Sequence, residues 1–350
     1  MKKTTKKFLV MLMAFVMATY TFVGCSKPAD NADNTAKATT APADNKESAA
    51  EADTTATDTT NESGRTFAYC TSTLNNPFMT TIGDALKAVC EKNGDKLITF
   101  DPQYDQSKQI SQVEDAINQG VDGIFLLPVD SNGVKTVLEE AASKNIPVIA
   151  IDNPVSDTDL VAANVASDNV NAGYIVGQAM LADFPDGAKI AIIDSPTMQA
   201  CVDRFDGFIK ALEDAGMKDK FEIVAQQDGT ASLEKSMPIA ENMIQANPDI
   251  QAFYGINDPT ALGVIATLKA AGKLEGIKVY GVDGSPDGKA AIKEGTLAVT
   301  AAQSPVSLAN TSYENILKVL NGETIEKSIA VETFKIDATN LDQYGVDGWQ

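Results

Sequence analysis

Six polar residues of the chain stand where segments with the pattern of strands end. Five come at or just after the carboxyl end of a predicted strand, and Arg204 begins a predicted helix that follows one. Carboxylates accept hydrogen bonds from hydroxyls, a guanidinium donates a fork of N–H groups, and carboxamides do both. A sugar or polyol presents this pattern of donors and acceptors. The five strand-end residues are Asn76, Asp152, Asn257, Asp283 and Gln303.

Each of these residues also has a purely structural interpretation. Asp152 and Asp283 could each cap the helix that follows. Arg204 could form a surface ion pair with Asp203 or Asp206, which would contribute little stability. Their joint placement favours a ligand site, because ligands of open α/β folds bind at the carboxyl ends of the strands.

The stretch from Arg65 to Met79 shows how such a strand end is built. An alternating strand is broken by two asparagines, and Pro77 then opens a helix, at a position where its missing N–H would be unsatisfied anyway. Asn76 and Phe78 are thereby placed at the helix N-terminus, where the ring of Phe78 could lie against the apolar face of a sugar. The alternative is that Asn-Asn-Pro is only a turn and Phe78 a core residue.

A strand–loop–helix–strand unit occurs twice in the chain. In the first copy a helix is predicted to start near Ser131, and the closing strand ends at Asp152. In the second copy Asp258 is the predicted N-cap and Pro259 the first helical residue, so that Asn257 could merely precede the cap. Strands that are apolar on both faces and alternate with helices predict parallel sheets covered by helices. The expected fold is α/β, with two doubly wound Rossmann-like lobes.

Residues 1–64 have a different pattern. A basic run precedes an uncharged apolar stretch, which predicts a signal peptide over residues 1–24. The segment ends in Phe-Val-Gly-Cys, which resembles a bacterial lipobox and implies diacylation of Cys25. The alternative is an uncleaved membrane anchor, although the apolar run is shorter than the ~20 residues that a spanning helix needs. Residues 25–64 lack aromatic and large aliphatic side chains, and this composition predicts a disordered tether.

The remaining chain is acidic and contains no histidine. Without the four lysines of the signal segment, 24 basic residues face 48 acidic ones, a net charge of −24. This excess disfavours nucleic acid as a partner. Because histidine is the commonest metal ligand and acid–base group, and no Gly-rich phosphate loop occurs, neither a metal nor a cofactor is predicted. Cys70 in a strand, Cys90 in a helix and Cys201 in a loop are interpreted as buried free thiols.

Residues 66–335 resemble the ribose-binding branch of bacterial periplasmic sugar-binding proteins. Six stretches carry the resemblance, in the family's order: STLNNPF, ASDNVNAG, DRFDGF, GINDPTALG, GVDGSPDG and AAQSP. The resemblance implies the fold of a type I periplasmic binding protein and a sugar in the cleft between its lobes. The residues it places against that sugar are Asn76, Phe78, Asp152, Arg204, Asn257, Asp283 and Gln303.

The resemblance also implies a division of the chain between the lobes. The N-terminal lobe is expected to comprise residues 66–166 and 304–331, and the C-terminal lobe residues 167–303 and 332–350. The three crossings, which would act as a hinge, are expected near Ala166–Ser167, Gln303–Ser304 and Val331–Glu332.

The sequence departs from the ribose binders at several positions. Leu127 stands where they carry an asparagine, Asn153 where they carry an arginine, and Met79 where they carry a second phenylalanine. A further stacking ring is missing near Ala231, and Phe205 could compensate for it. We therefore expect Met79, Asn153 and Phe205 close to the ligand. A monosaccharide other than ribose, a deoxy sugar or a small polyol is as compatible with the sequence as ribose.

The function implied is that of an extracytoplasmic lipoprotein on the outer face of the cytoplasmic membrane. It would capture a ribose-class pentose or hexose and present its closed form to the permease of an ABC transporter, without catalysis. A monomer is expected, and the lipid anchor is its only expected membrane contact. Three alternatives stay open: a sensor that passes its closed form to a receptor, a binder of nucleosides or signalling furanoses, and a hydrolase with Asp152 and Asp283 as paired acids.

Overall fold

A computed structural model describes residues 64–350 of the chain. The predicted signal peptide, the predicted tether and Cys25 therefore lie outside the described residues. Within that range no helix is both long enough and apolar enough to cross a membrane.

The described chain alternates strands and helices, as predicted. The strands are β1 (Thr66–Cys70), β2 (Lys96–Phe100), β3 (Gly123–Leu126), β4 (Val148–Ile151), β5 (Ala163–Ser167), β6 (Ala188–Asp194), β7 (Phe221–Asp228), β8 (Ala252–Gly255), β9 (Lys278–Asp283), β10 (Val299–Ala302), β11 (Ser328–Val331) and β12 (Phe334–Asp337). The helices are α1 (Pro77–Lys92), α2 (Gln106–Asn118), α3 (Lys135–Ser143), α4 (Asn169–Asp183), α5 (Gln199–Asp214), α6 (Leu233–Ala246), α7 (Asp258–Ala270), α8 (Pro286–Lys293), α9 (Pro305–Leu320) and α10 (Leu341–Tyr344).

The strands form two six-stranded sheets, each the centre of one lobe. The sheet of the N-terminal lobe has the order β11-β5-β4-β3-β1-β2 and is parallel throughout. The sheet of the C-terminal lobe has the order β12-β10-β9-β8-β6-β7, in which only β12 runs antiparallel. Every residue of β3, β4 and β8 is buried, because helices cover both faces of each sheet. The predicted α/β fold with two doubly wound lobes is confirmed.

The chain passes between the lobes three times. It leaves the N-terminal sheet after β5 to form α4, which packs on β9, β10 and β12. It returns after β10 to form α9, which packs on α1, β4 and β5. The third passage joins β11 to β12, and only two residues separate these strands. Each lobe is therefore assembled from separate parts of the sequence.

Three local predictions were wrong, each for a local reason. The helix expected to start near Ser131 begins at Lys135, because the residues before it form turns and the Ser131 hydroxyl is bonded elsewhere. Cys201 lies in α5 and not in a loop. The N-cap of α7 is Asn257 and not Asp258, since the Asn257 side chain accepts a hydrogen bond from the N–H of Thr260 at 3.0 Å. All three cysteines described are buried free thiols, as predicted.

Candidate ligand-binding site

Arg204 is the centre of a buried polar cluster in the C-terminal lobe. Although it carries a full charge, it is only 4 % exposed. Its Nε donates to Asn169 Oδ1 at 2.8 Å and its Nη1 to the carbonyl of Ile256 at 3.1 Å. Nη1 also lies 4.0 Å from Asp283 Oδ1. The alternative of a surface ion pair with a neighbour on α5 is therefore wrong.

Asp283, the last residue of β9, connects this cluster. Its Oδ1 accepts a hydrogen bond from Gln303 Nε2 at 2.7 Å, and its Oδ2 accepts one from the N–H of Asp258 at 3.3 Å. Burial and the neighbouring Asp258 carboxylate raise the pKa of Asp283 well above its ordinary value, while Arg204 opposes the shift. Asp283 does not cap the next helix, because Ser285 does so for α8. The carboxylate is thus held by the cluster.

Asp152, directly after β4, is the corresponding carboxylate of the N-terminal lobe. Its backbone has a φ of 66°, which is uncommon outside glycine, and its N–H donates to the carbonyl of Val165 at 2.8 Å. The side chain is buried, and within residues 64–350 its Oδ1 has no hydrogen-bond partner. Burial raises the pKa of Asp152 to about 6, against the opposing effect of Arg204 from the other lobe. Asp152 caps no helix, so its structural interpretation is wrong as well.

Asn76 and Asn257 are both helix N-caps. Asn76 Oδ1 accepts from the N–H of Phe78 at 2.9 Å and opens α1. Asn257 Oδ1 opens α7, and its Nδ2 donates to the carbonyl of Ala231 at 3.1 Å. A carboxamide oxygen has a second lone pair, so capping does not prevent these groups from bonding to a ligand. The caps fix both side chains at helix N-termini, where partial positive charge favours polar oxygen atoms.

The three positions expected near the ligand because of departures from the ribose binders have different surroundings. Asn153 is buried; its Nδ2 donates to the carbonyl of Pro128 at 3.0 Å, and its Oδ1 accepts from the N–H of Ala200 in the other lobe at 3.1 Å. Met79 is buried, with its sulfur 3.0 Å from the hydroxyl of Ser72. Phe205 is half-buried at the edge of the large apolar cluster. Of the three side chains, that of Asn153 is hydrogen-bonded to the other lobe.

A cavity of about 700 Å³ is lined by both lobes. Its lining includes Asn76, Phe78 and Asp283, whereas the other four principal candidates are buried and do not line it. Of these four, Gln303 is hydrogen-bonded to Asp283. The volume falls within the range of small-molecule sites. The remaining lining residues are Asn75, Pro77, Gln103, Tyr104, Ala231, Ser232, Leu233, Glu234, Lys235, Pro259, Leu262, Ser285, Pro286, Asp287 and Trp349.

Sequence reasoning missed three residues of this region. Tyr104 lines the cavity in the loop after β2, where the same strand-end rule would have found it. Asn169, which fixes Arg204, belongs to the ASDNVNAG stretch and follows β5 by two residues, so the strand-end rule would have found it too. Trp349 lies near the end of the chain, and no pattern in its surroundings indicates a site. Burial raises the pKa of Tyr104 to about 12, so its hydroxyl stays protonated.

The chemistry of the cleft is that of neutral, hydrogen-bonding ligands. Arg204 and Gln303 lie beside Asp283, and Asp283 lines the cavity together with Asn76 and the rings of Phe78 and Tyr104. No group of three or more acidic or cysteine side chains in residues 64–350 is placed to hold a metal ion. Paired carboxylates and carboxamides suit hydroxyl-rich molecules, which both donate and accept.

Comparison with known sequences gives consistent matches. The sequence profile described as "periplasmic binding protein domain" matches residues 67–324. The ribose import binding protein RbsB of Bacillus subtilis is 35 % identical over 266 residues, covering 76 % of this chain and 85 % of that protein. The D-ribose/D-allose-binding protein of Pseudomonas aeruginosa is 32 % identical over 273 residues, covering 75 % and 84 %.

A solved structure also has this fold. An ABC transporter solute-binding protein of Bacillus halodurans with bound myo-inositol superposes with a TM-score of 0.74 at 28 % identity. The match covers 80 % of this chain and 97 % of that one.

Proposed function

We propose that this chain, which belongs to the periplasmic binding protein family, captures a monosaccharide or small polyol between its lobes. It then delivers this ligand to the permease of an ABC transporter. The related proteins are solute-binding proteins of ABC importers and resemble ribose-binding proteins. Because such proteins bind a substrate for transport and do not convert it, this chain is not an enzyme. A ribose-class pentose or hexose is the proposed ligand class, since the related proteins are described as binding ribose and allose.

The observation that carries the proposal is a set of buried polar atoms left without protein partners. Asp152 Oδ1, Gln303 Oε1 and the hydroxyl of Tyr254 are buried and have no hydrogen-bond partner in the described part of the chain. Leaving such groups unpaired costs roughly 1–3 kcal/mol each. Hydroxyls of a bound sugar that reach these three atoms would give them hydrogen-bond partners.

The N-terminal lobe restricts the choice of sugar. Leu127 is fully buried and has no polar side-chain group, and the Asn153 carboxamide is bonded within the protein and across the cleft. Asp152 and the carboxamide of Asn76 are therefore the hydroxyl acceptors on this side. We propose a ligand whose edge facing the N-terminal lobe presents few hydroxyls, such as a deoxy sugar, or a polyol that turns its C–H face towards Phe78.

Binding would be coupled to closure of the lobes. Ligand hydroxyls that bridge Asp152 in one lobe and Asp283 in the other stabilise the closed arrangement only when the cleft is filled. The three passages of chain between the sheets would serve as the hinge, with residues 66–166 and 304–331 moving against residues 167–303 and 332–350. The closed form is the one presented to the permease.

Lipidation at Cys25 is part of the proposal. The basic run, the apolar stretch and the Phe-Val-Gly-Cys segment support an anchor that holds a monomeric protein on the outer face of the cytoplasmic membrane. Cys25→Ala should release the protein into the soluble fraction. If the variant still sediments with membranes, an uncleaved anchor replaces the lipid in this account.

A thermal-shift panel with the purified protein tests the ligand class. The panel includes ribose, xylose, arabinose, glucose, galactose, fucose, allose, inositol, sugar alcohols, nucleosides and amino acids. A ligand at 100 times its dissociation constant adds roughly 2.7 kcal/mol, which raises Tm by several degrees. A response to one sugar or polyol supports the proposal. A response only to a nucleoside or amino acid would overturn it.

A further inference from the structure

The last residues of the chain form a segment that is anchored on the C-terminal lobe. We call residues 338–350 the C-terminal strap; the matched family profile ends well before it, at residue 324. Tyr344 stacks on Phe334 of β12, with ring centroids 5.0 Å apart and planes at 25°. Leu341 is buried in the apolar cluster of the C-terminal lobe. The start of the strap is therefore packed on the lobe that β12 completes.

The end of the strap is clamped by polar contacts. Lys289 of α8 is fully buried, and its Nζ donates to the carbonyl of Gly348 at 3.0 Å. With its amide oriented to satisfy both neighbours, Gln350 accepts from Lys289 Nζ and donates to the carbonyl of Gly284 at 3.1 Å. Burying an ammonium group is costly unless it is hydrogen-bonded. The strap end thus has a defined position beside the loop that follows Asp283.

Between these two clamped residues, Trp349 projects to the other lobe. Its ring meets that of Phe78 edge to face, with centroids 5.3 Å apart and planes at 75°. Both rings line the cavity, and Trp349 is half-buried whereas Phe78 is 3 % exposed. Phe78 belongs to α1 of the N-terminal lobe. The contact therefore joins the two lobes at the edge of the cavity.

We propose that Trp349 is a ligand-facing residue of the binding site, which contacts the bound sugar and holds the lobes together against Phe78. This inference rests on the proposed function, since it needs a sugar in the cavity. Indole rings have a large apolar face on which the C–H groups of a sugar pack, and an aromatic pair adds about 0.5–1.5 kcal/mol beyond area burial. That corresponds to a roughly two- to tenfold effect on affinity.

The ring pair also makes a kinetic prediction. A contact between residues on different lobes exists only while the lobes are closed, so removing it should raise the dissociation rate more than it lowers the association rate. The strap stays on the C-terminal lobe when the cleft opens, because its other contacts lie within that lobe. Trp349 would then be exposed to solvent in the open form.

Fluorescence provides the test, because Trp349 is the only tryptophan of the chain. The purified protein is titrated with D-ribose, D-allose and myo-inositol, and both the emission and the affinity by calorimetry are recorded. Variants Trp349→Ala and Trp349→Phe are compared with Gln343→Ala, a control in the exposed part of the strap. We expect a change in Trp349 emission on binding, a two- to tenfold loss of affinity in Trp349→Ala, a smaller loss in Trp349→Phe and none in the control.

The outcomes separate this inference from the proposed function. If the wild type binds a sugar but Trp349→Ala binds it equally well, the role of Trp349 is overturned while the proposed function stands. If the wild type binds no sugar or polyol of the thermal-shift panel, the proposed function fails and the ligand-facing role fails with it. The contact itself is then judged by quenching with acrylamide: Phe78→Ala should make Trp349 more accessible, and unchanged quenching would show that the rings do not meet in solution.

Discussion

The two lobes contribute to the cleft in different ways. In the C-terminal lobe, Arg204 is bonded to Asn169 and lies beside Asp283, which in turn is bonded to Gln303. In the N-terminal lobe, Asp152 has an oxygen without a hydrogen-bond partner among the residues described. One lobe therefore holds a connected network in place before a ligand arrives, and the other holds a carboxylate with one oxygen that a ligand hydroxyl could still bond.

This difference suggests an order of events. A connected network is preorganised, so a ligand that meets the C-terminal lobe first finds its partners already oriented. The unsatisfied carboxylate of the N-terminal lobe then favours closure onto the ligand. Substitutions in the two lobes should therefore have different consequences for folding and for binding, and five experiments test this comparison.

The largest effect is expected for Arg204→Ala. Removing the guanidinium leaves Asp283 and Asp152 buried without their shared counter-charge, and breaking a buried pair costs about 3–5 kcal/mol. Thermal unfolding without ligand should show this loss, and titration should show that binding is lost too. The matched control is Lys210→Ala on the exposed face of the same helix, whose pair with Asp214 is solvent-exposed. An unliganded stability equal to wild type would mean that the network is not preorganised.

Asp152→Asn should separate folding from binding. A neutral amide of the same shape removes a buried charge, so the unliganded protein at pH 7 should be as stable as wild type or more stable, by about 1–3 kcal/mol. Affinity should fall at least tenfold, because the amide presents an N–H group in place of one carboxylate oxygen. Chemical denaturation and calorimetry measure the two quantities. Loss of stability together with affinity would remove the contrast between the lobes.

The pH dependence of this variant follows from the raised pKa of Asp152, about 6 in the folded protein. Because a folded-state pKa above the unfolded one means that the native state binds more protons, this carboxyl lowers stability as pH rises from about 4 to about 6. The stability of Asp152→Asn minus that of wild type should therefore be smallest below pH 4 and largest above pH 6. Since other carboxylates are common to both proteins, the difference isolates this group. A difference that does not change with pH would contradict the assignment.

For wild type, the same carboxyl should make binding pH-dependent. Hydroxyls donate to the ionised form, so bound ligand should lower the pKa of Asp152, and affinity should fall as pH decreases through 6. The pKa of Asp283 is also raised, but its carboxylate already accepts a hydrogen bond from Gln303. In Asp152→Asn the affinity should depend less on pH.

The smallest effect concerns the direct contacts between the lobes. The Ser131 hydroxyl donates to Asn153 Oδ1 at 3.3 Å and accepts from the N–H of Gln199 at 3.1 Å. Hydrogen bonds contribute about 0.5–1.5 kcal/mol each, so Ser131→Ala should weaken binding a few-fold, mainly through faster release. Ser143→Ala, on the exposed end of α3, is the matched control. Stopped-flow dissociation measures both, and a slower association at unchanged release would argue against a closing role.

The fold was predictable because its signals are repetitive and local. Apolar strands that alternate with amphipathic helices specify parallel sheets wherever they occur, and Pro77 marks the start of a helix without reference to the rest of the chain. The start of α3 was missed since Ser131 resembles an N-cap, yet its hydroxyl bonds across the cleft. Tertiary contacts, which a single segment does not reveal, decided that position.

The candidate site was predictable only in part. Strand-end placement identified Asp152 and Asp283 because the topology brings such positions together. It did not indicate that Asn153 bonds to the other lobe, nor that Trp349 reaches the cavity. Both depend on distances across the closed cleft, and those distances have no counterpart in local sequence. That the strand-end residues contact a ligand stays a prediction.

The interrupted path of the chain between the sheets has a consequence for folding. Strand β11 pairs with β5 across more than half of the described sequence, as in the register of Ser328 with Asn164, and α9 packs on α1 at the opposite end of the chain. Such distant pairings form slowly, because closing a long loop costs chain entropy before the contact repays it. Neither lobe can complete its sheet until the last strands, β11 and β12, have been synthesised. A nascent chain of this design therefore remains incompletely folded during synthesis, which is the condition that threading through a secretion channel requires.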